Sequence, residues 1–535
     1  MRTRALLIWF VLFCASTVFG QSGGELRFCL RSDPKTFNPL LVNDESSETV
    51  RYLTAGFLLR VNRITQQPEP ELATSWKVFD GGRSIRFKLR PGVRYSDGTP
   101  FSAADVTYTM EKLLDPSIHS STSDAFRSGK GKLATRVLSP TDIELTFPAP
   151  IANLANLFDG VPIISSSSPQ KEMAALGPFF VAEHKAGAFV LLKRNPNYWK
   201  KDSQGRQLPY LDSVRLEIEQ NPDIEAMKYE RGEIDLINTV SPAIYDKLAR
   251  VNASLVRDAG PSTDTEELWF NEVPAAPIPA YKKQWFASTA FRQAISESIN
   301  REDMSRLVFH GHAVPAVSNV PQSNKFWFNQ ALRPHRFDTA EALRRLQADG
   351  FRLENQQLRD KNGNAVEFSI VTNAGNRSRE QMATMIQQDL KQIGIEVSVV
   401  TLDFNSLLER MTQTFNYDAC LLGTVNGDLD PSSQMTMWLS SGEDHIWNPK
   451  EKTPATGWEA EIDKQMRIEA STLDFNKRKA AWDRVQKIAW EQQPVIYLLN
   501  KDSLVAISPQ IKNAQPSPFR PQTYWNIEDL MLARR

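Results

Sequence analysis

Strand signals and helix signals alternate along the whole chain, and this alternation limits the fold more than any other feature. In the segment 85–90, Ile, Phe and Leu alternate with Arg and Lys, a period of two that predicts a half-buried strand. An Asp-Gly turn follows at 97–98. Ser102, with Asp105 three residues later, is typical of a capping box, and we expect a helix from there to about Leu114.

The same kinds of signal recur later in the chain. Helices are expected to begin after Ser288 and Asp338, and others to end before Gly394 and Pro494. Strand patterns follow the last two. The sequence therefore predicts an α/β protein with mixed sheets. Its 535 residues exceed what one hydrophobic core usually organises, so two or three domains are expected.

The charges of the chain balance, with 63 Lys+Arg against 63 Asp+Glu. A neutral chain offers no basic surface to a polyanion, so nucleic acid is not an expected partner. The motifs H-E-x-x-H, G-x-S-x-G and G-x-x-x-x-G-K-[ST] are absent from the sequence, and no catalytic site or cofactor is predicted. His310 and His312 resemble a metal pair, but the sequence names no third ligand, so no metal site is predicted either.

The N-terminus has the pattern of an export signal. Two arginines precede the apolar run 5–13, and small or polar residues lead to Gly20. This pattern predicts a signal peptide over 1–20 and an exported, periplasmic protein. A membrane anchor would need about 20 apolar residues. A lipid anchor at Cys14 is disfavoured because the bulky Phe13 precedes it.

Two cysteines remain after this cleavage, Cys29 and Cys420, each in an apolar, strand-like stretch. A disulfide between them is one alternative in an oxidising compartment. Two separate buried thiols are the favoured alternative, and the sequence does not decide between them.

Four segments carry a resemblance to a known family. They are ELATSWKVFDGGRSIRFKLRPGVRYSDGTPFSAADVTYTMEKLLDP at 71–116, GPFFVAEHKAGAFVLLKRNPNYW at 177–199, LWFNEV … FRQAISESINREDM at 268–304, and the stretch 338–423 with IGIEV and YDACLLG. In this order and spacing the chain resembles the family 5 extracellular solute-binding proteins, the dipeptide, oligopeptide and nickel binders of ABC importers. The similarity extends from about Gly24 to the C-terminus.

The resemblance implies a two-lobed fold of the periplasmic-binding-protein type (class II, or cluster C), with mixed sheets and an extra subdomain. Lobe I would be discontinuous, formed by 21–51, 177–260 and 491–535. The subdomain inserted in it would be 52–176, and lobe II would be 261–490.

The resemblance also implies a function. The two lobes would close by hinge motion on an oligopeptide or similar small solute, and the loaded, monomeric protein would deliver it to the permease subunits of an ABC importer. The chain would then not be an enzyme. Three alternatives stay open: an oligosaccharide binder of the same family, a signalling or chaperone protein with the same fold, and a hydrolase with an unrecognised site.

The first candidate site is the loop 421–433, where an apolar strand runs into a Gly/Asn/Asp turn, as in many ligand clefts. Peptide binders of the family carry a Trp after the glycine of this loop and an Asp for the ligand ammonium. The Trp is absent here, Gly427 occupies the position of the Asp, and Asp428 follows one residue later. Turn capping is the alternative role for Asp428 and Asp430. The predicted ligand-binding residues are Thr424, Val425, Asn426, Gly427 and Asp428.

A second group of candidates comes from other segments. Asn373 stands where dipeptide binders place an Arg for the ligand carboxylate, and the nearby Arg377 and Arg379 are expected to be solvated. The remaining candidates are Trp269, Phe270, Asn271 and Trp438. The alternative for Asn271 is to tie the crossover strand, and for Trp438 to lie in the core. These departures from the family pattern disfavour a free dipeptide, and the absence of an aromatic residue at Val425 disfavours nickel.

Overall fold

The structure, a computed structural model, describes residues 23–118, 120–126 and 131–533. The predicted signal peptide, 1–20, lies outside these residues. Among the described residues, no helix combines the length and the apolar content that a bilayer crossing requires.

The strands of the described residues are numbered in chain order. They are β1 Glu25–Leu30, β2 Leu59–Val61, β3 Pro68–Pro70, β4 Ala73–Phe79, β5 Ser84–Leu89, β6 Ala134–Ser139, β7 Asp142–Thr146, β8 Phe179–Lys185, β9 Phe189–Arg194, β10 Ser213–Ile218, β11 Leu236–Ile237, β12 Val256–Phe270, β13 Ala313–Pro315, β14 Arg352–Glu354, β15 Gln357–Arg359, β16 Glu367–Asn373, β17 Glu396–Leu402, β18 Ala419–Val425, β19 Val495–Ile507, β20 Ile511–Lys512 and β21 Met531–Leu532.

The α-helices are numbered in the same way. They are α1 Glu45–Thr54, α2 Ala103–Leu113, α3 Pro222–Glu230, α4 Pro242–Val251, α5 Ala280–Ala287, α6 Thr289–Glu297, α7 Arg301–Val308, α8 Thr339–Ala348, α9 Arg377–Lys391, α10 Phe404–Glu409, α11 Met435–Trp438, α12 Gly457–Ser471 and α13 Phe475–Gln492.

Three sheets form the framework, and they confirm the predicted mixed α/β class. One has four strands in the order β1-β10-β9-β8, a second has four in the order β4-β5-β7-β6, and a third has seven. The order of the seven-stranded sheet is β11-β19-β12-β18-β16-β17, with β13 also paired to β19. The first of these sheets and the third contain both parallel and antiparallel pairs.

Two long strands, β12 and β19, cross the molecule side by side. They pair antiparallel from Val256–Ala506 at one end to Trp269–Val495 at the other. The register of the ladder shifts between Asp258 and Thr265, which interrupts the regular hydrogen bonding where the two strands pass from one part of the protein to the other. Strands with such an interruption are suited to act as a hinge.

The seven-stranded sheet is buried on both faces. Neighbouring residues of a strand point to opposite faces, so Leu268 and Phe270 pack into one core while Trp269 packs into the other. Separate cores lie around the β4-β5-β7-β6 sheet and around the β1-β10-β9-β8 sheet. Several cores in one chain agree with its length.

The helix starts predicted from the sequence are confirmed. The side chains of Ser288 and Asp338 accept hydrogen bonds from the first turns of α6 and α8. Ser102 and Asp105 form a complete capping box at α2. Gly394, just after α9, has a φ of 80°, which a glycine adopts without strain. These helix-start and helix-end signals depend only on neighbouring residues, and for that reason they persist in the folded chain.

Cys29 and Cys420 are both free thiols. Burial raises the pKa of the Cys29 thiol to about 12, and burial also raises the pKa of Cys420. Both side chains therefore stay in the protonated, unreactive form at neutral pH. This agrees with the favoured of the two sequence alternatives.

Candidate functional site

A cavity lies between segments that are far apart in the sequence. Its volume is about 710 Å³, within the range of about 300–1,000 Å³ that small-ligand sites occupy. One wall comes from 61–68 and 153–160, with Phe519 and Arg520. The opposite wall comes from 324–327 and 426–430, with Phe475 and Arg478. Thr263, in the interrupted part of β12, lies at the base.

A second cavity of about 480 Å³ adjoins the first. Both cavities are lined by a common set of residues: Arg63, Thr122, Asp159, Gly160, Gly427 and Arg520. Together they form one elongated cleft, which extends past α1 on the side of Tyr52 and Tyr524. An elongated cleft suits a chain-like ligand.

Aromatic side chains make up much of the apolar lining of the first cavity. The rings of Trp327 and Phe475 lie 5.2 Å apart, and the Arg478 guanidinium stacks on Trp327 at 4.9 Å. Phe126, Phe326 and Phe519 also line the cavity. Such surfaces bind apolar side chains and rings and exclude water from the site.

Asp428 is an unpaired acid in this lining. No lysine or arginine among the described residues lies within ion-pair distance of it. Burial, with a smaller contribution from repulsion by Asp430, raises the pKa of Asp428 to about 7. One of its oxygens, Oδ1, accepts a hydrogen bond of 3.0 Å from the backbone N–H of Asp430, as in a turn-capping Asp. The carboxylate nevertheless lines the cavity, and a carboxylate short of positive partners in a cleft favours a cationic ligand group.

The neighbouring Asp430 is neutralised by the protein itself. It forms a buried ion pair of 2.6 Å with Arg478, which also pairs with Glu469. The side chain of Asp430 additionally accepts from the backbone N–H of Ser432 at 3.0 Å and so caps the next turn. Asp430 therefore has the turn-capping role that was considered for it from the sequence.

The wall opposite Asp428 carries charges of both signs. Arg63 pairs with Asp159 at 3.0 Å and donates to the backbone carbonyl of Arg520 at 2.8 Å. Arg520 reaches Glu45 only at 3.6 Å and Asp264 only at 3.8 Å, and its side chain is 45% exposed. Its guanidinium can therefore accept an anionic ligand group without breaking a short ion pair.

Gln66 joins the two walls above the cavity. Its side-chain amide donates to the backbone carbonyl of Ser323 at 2.8 Å and accepts from the backbone N–H of Lys325 at 2.9 Å. In return, Lys325 Nζ donates to the carbonyl of Ile64 at 2.7 Å. We call residues 64–66 and 323–325 the latch. These contacts exist only while the two walls are close together.

Of the residues predicted from the 421–433 loop, Asn426, Gly427 and Asp428 line the cavity. Asn426 also donates to the backbone carbonyl of Asn319 at 2.9 Å. Thr424 donates to the buried Glu267 at 2.6 Å, and the side chain of Val425 is exposed. Thr424 and Val425 belong to β18 and do not line the cavity.

The structure places the candidates Trp269, Phe270, Asn271 and Trp438 away from the cavity. Trp269 and Phe270 are core residues because β12 lies in a sheet that is covered on both faces, and Trp438, in α11, is buried in the same core as Trp269. Asn271 donates to the backbone carbonyls of Phe415 and Tyr417, each at 2.8 Å. The tying role for Asn271 and the core role for Trp438, both considered from the sequence, match these positions.

Asn373 and Arg379 contact each other instead of solvent or the cavity. Arg379 donates to Asn373 Oδ1 at 2.9 Å and pairs with the buried Glu266 at 2.8 Å. The expectation that Arg379 is solvated is wrong, because Glu266 on the adjacent β12 would otherwise be a buried carboxylate with fewer cationic partners. This contact also occupies the side-chain oxygen of Asn373.

Several lining residues were missed from the sequence. The clearest are Gln66, Asp159, Trp327, Phe475 and Arg520. They lie in loops or at a helix start, and only the packing of distant segments brings them together. The aromatic run at 326–328 was the one local signal, since three adjacent aromatic residues in a loop often mark a binding surface.

His310 and His312 lie beside carboxylates in the folded chain. His310 Nδ1 lies 2.6 Å from Asp246, and His312 Nδ1 lies 2.9 Å from Asp258. Both pairs lie at the surface, outside the cavity lining.

Comparison with known proteins places this architecture in a family. The model of the "Bacterial extracellular solute-binding proteins, family 5 Middle" matches residues 67–445. A "Probable ABC transporter-binding protein" of Deinococcus radiodurans is 27% identical, with 89% of this chain and 87% of the relative covered. The "Oligopeptide-binding protein AppA" of Bacillus subtilis is 26% identical, with 96% and 92% covered.

Solved structures share the fold at lower identity. The ABC transporter substrate-binding protein CtaP of Listeria monocytogenes superposes with a TM-score of 0.81 at 22% identity, covering 96% of this chain and all of that one. AppA of Bacillus subtilis, solved with a nonapeptide, gives 0.72 at 22% identity, with the same coverage. The fold is therefore that of the two-lobed periplasmic binding proteins, as the sequence predicted.

Proposed function

The chain belongs to family 5 of the bacterial extracellular solute-binding proteins, and from this premise we propose that it captures an oligopeptide between its lobes and delivers it to an ABC importer. The observation that carries the proposal is the elongated cleft of two adjoining cavities, which has an aromatic wall and an unpaired acid. A named relative that spans nearly the whole chain binds oligopeptides.

Asp428 is proposed as the partner of the ligand's α-ammonium. In a cleft that excludes water, a charge-assisted hydrogen bond between carboxylate and ammonium is about twice as strong as a neutral one. Arg520, at the junction of the two cavities, is proposed as the partner of a ligand carboxylate or of backbone carbonyls. The aromatic wall would accept the side chains between these two ends.

We propose the lobe division predicted above, with lobe I from 21–51, 177–260 and 491–535, the inserted subdomain at 52–176, and lobe II at 261–490. It is supported by the separate cores around the three sheets and by the interrupted crossing strands. Export by a signal peptide over 1–20 and action as a monomer without catalytic activity belong to the same proposal.

A thermal-shift experiment tests the proposed ligand class. The mature protein, stripped of ligand by unfolding and refolding, is melted with oligopeptides, N-acetylated oligopeptides and oligosaccharides. We expect free peptides to raise the melting temperature, since a ligand at 100 times its Kd stabilises by about 2.7 kcal/mol. The peptides should be recovered uncleaved. A shift with oligosaccharides alone would assign the chain to sugars, and no shift with any of the three would favour the non-transport alternative.

The latch predicts how long the closed form retains its ligand. Replacing Gln66 by Ala removes two inter-wall hydrogen bonds, whose net worth is about 1–2 kcal/mol. We expect bound peptide to dissociate roughly 5- to 30-fold faster, as measured by competition with a labelled peptide.

Thr65→Ala is the matched control, because Thr65 is exposed in the same turn and lies beside the latch contact. It should leave the dissociation rate unchanged. Equal rates for Gln66→Ala and the unmodified protein would show that the latch does not hold the loaded state.

A further inference from the structure

A second cluster of ligating side chains lies outside the cleft, in the loop that joins α11 to α12 and in the first turn of α12. It consists of His445, Glu451 and Glu459. One ligand atom from each residue lies within 4.8 Å of the other two. His445 is 1% exposed and Glu459 is 2% exposed, and Glu451 is half-buried.

His445 has a defined tautomer. Its Nδ1 lies 2.9 Å from the backbone carbonyl oxygen of Met437, and since a carbonyl only accepts, Nδ1 carries the hydrogen. In the neutral ring, Nε2 is then an unprotonated lone pair. Among the described residues Nε2 has no hydrogen-bond partner, and the nearest Glu459 oxygen, at 3.7 Å, is too far for a hydrogen bond.

The two carboxylates of the cluster are held in place by other donors. Glu459 accepts from Trp447 Nε1 at 3.0 Å and from the backbone N–H and hydroxyl of Thr456 at 2.7 and 2.8 Å. Glu451 accepts from the backbone N–H of Ala455 at 3.0 Å and from the side chain of Asn448. These bonds orient the carboxylates but do not neutralise them.

The charge of the cluster is uncompensated. No lysine or arginine among the described residues lies within ion-pair distance of Glu451 or Glu459. With both carboxylates ionised and the imidazole neutral, the cluster would carry a charge of 2− in a largely buried setting, which costs free energy unless a cation is present. A divalent cation matches that charge.

We propose that His445 Nε2, Glu451 and Glu459 bind one divalent transition-metal ion of the zinc type. Imidazole nitrogen with carboxylate oxygens suits zinc and its first-row neighbours better than calcium or magnesium, which take oxygen ligands. A histidine whose other ring nitrogen donates to a backbone carbonyl is the usual arrangement of a metal ligand. Metal bonds of about 2.0–2.2 Å would draw the three groups inward.

Such an ion would join the loop after α11 to the first turn of α12. Met437, whose carbonyl orients His445, lies in α11, which follows the cleft residues 426–430 by a few positions. The proposed role is therefore structural support of the segment that carries one wall of the cleft. It does not depend on the identity of the ligand in the cleft.

Calorimetry with Zn²⁺ tests the proposal on the full mature protein after treatment with a chelator and its removal. We expect one equivalent to bind and the melting temperature to rise. His445→Gln should weaken Zn²⁺ binding by at least about 100-fold, since even the partners of metal ligands contribute 10- to 100-fold. His312→Gln is the matched control, because His312 lies in a more exposed cluster with Asp258 and Asp502, and it should leave the binding unchanged.

A measurement on the unmodified protein avoids any dependence on how the variants fold. Co²⁺ should give visible absorption bands of a nitrogen- and oxygen-ligated ion, and Zn²⁺ should shift the ¹⁵N resonance of His445 Nε2. Absence of Zn²⁺ binding, or its loss in His312→Gln but not in His445→Gln, would overturn the proposal. So would a His445 ring protonated on both nitrogens in the presence of excess Zn²⁺, which would identify an imidazolium paired with Glu459.

Discussion

Asp428→Asn is expected to weaken the binding of an oligopeptide with a free amino terminus about 10- to 150-fold. The substitution keeps the shape of the side chain and removes the charge, and a hydrogen bond to a charged group contributes about 1.5–3 kcal/mol. Isothermal titration calorimetry on the ligand-free protein measures the change directly. Asn can still accept from the backbone N–H of Asp430, so the turn is preserved.

Two comparisons isolate the charge of Asp428. An N-acetylated peptide lacks the ammonium, and its affinity should be the same for the unmodified protein and for Asp428→Asn. Asp303→Asn makes the same chemical change at an exposed carboxylate outside the cavity and should not alter the affinity for free peptides. Equal loss for acetylated and free peptides would contradict the assigned role.

The pH dependence of peptide binding gives an independent measure of the same group. The pKa of Asp428 is raised to about 7, chiefly by burial. Because only the ionised carboxylate attracts an ammonium, affinity should fall as the pH falls below about 7, by roughly tenfold per unit. This dependence should disappear between pH 5 and pH 7 in Asp428→Asn.

Arg478→Met is expected to produce the largest loss of stability. Arg478 is the shared cation of Asp430 and Glu469, and the side-chain exposures of the three are 7%, 5% and 0%. Removing one partner of a buried ion pair leaves an uncompensated charge and costs about 3–5 kcal/mol. Urea denaturation followed by tryptophan fluorescence would measure the change in the free energy of unfolding.

The loss in Arg478→Met should depend on pH with a defined sign. Burial raises the pKa of Glu469 to about 7 even with Arg478 present. Removing Arg478 would raise the pKa of Glu469 further. A carboxyl whose pKa is higher in the folded than in the unfolded state lowers stability as the pH rises above its unfolded pKa, and the loss is complete once the pH passes the folded pKa. The loss should therefore be larger at pH 8 than at pH 5.

Arg467→Met is the matched control for Arg478→Met. Arg467 pairs with Asp463 at 2.9 Å, but its side chain is 64% exposed, and exposed pairs of this kind contribute about 0–1 kcal/mol. Adding Glu469→Gln to Arg478→Met should recover part of the stability, since it removes one of the two unpaired charges. A loss below 1 kcal/mol in Arg478→Met would contradict the account of this network.

The local structure could be predicted from the sequence because its causes are local. Ser102 and Asp105 lie three residues apart, and the hydrogen bonds that they make are within the same turn. The contacts that build the cleft instead join residues that lie far apart in the sequence. Gln66 donates to the backbone carbonyl of Ser323 at a separation of 257 residues, and no pattern near either residue indicates the other.

The candidate site was predicted only where a strand end marked it. Residues 426–428 follow β18 directly and line the cavity. Trp269 was a candidate, but β12 is buried on both faces, and the alternation of its residues does not reveal a side that faces the ligand. Trp438, in α11, is likewise a core residue. Trp327 comes from a loop and Phe475 from the start of α13, and these distant segments meet only in the folded chain.

Native mass spectrometry of the mature protein, purified from its own host's exported fraction without refolding, tests the central claim most directly. Closure of the lobes should slow dissociation enough for ligand to be retained. The account predicts bound masses that differ by amino-acid residue increments. Bound masses in hexose increments, or an empty protein that no oligopeptide shifts in mass, would contradict it.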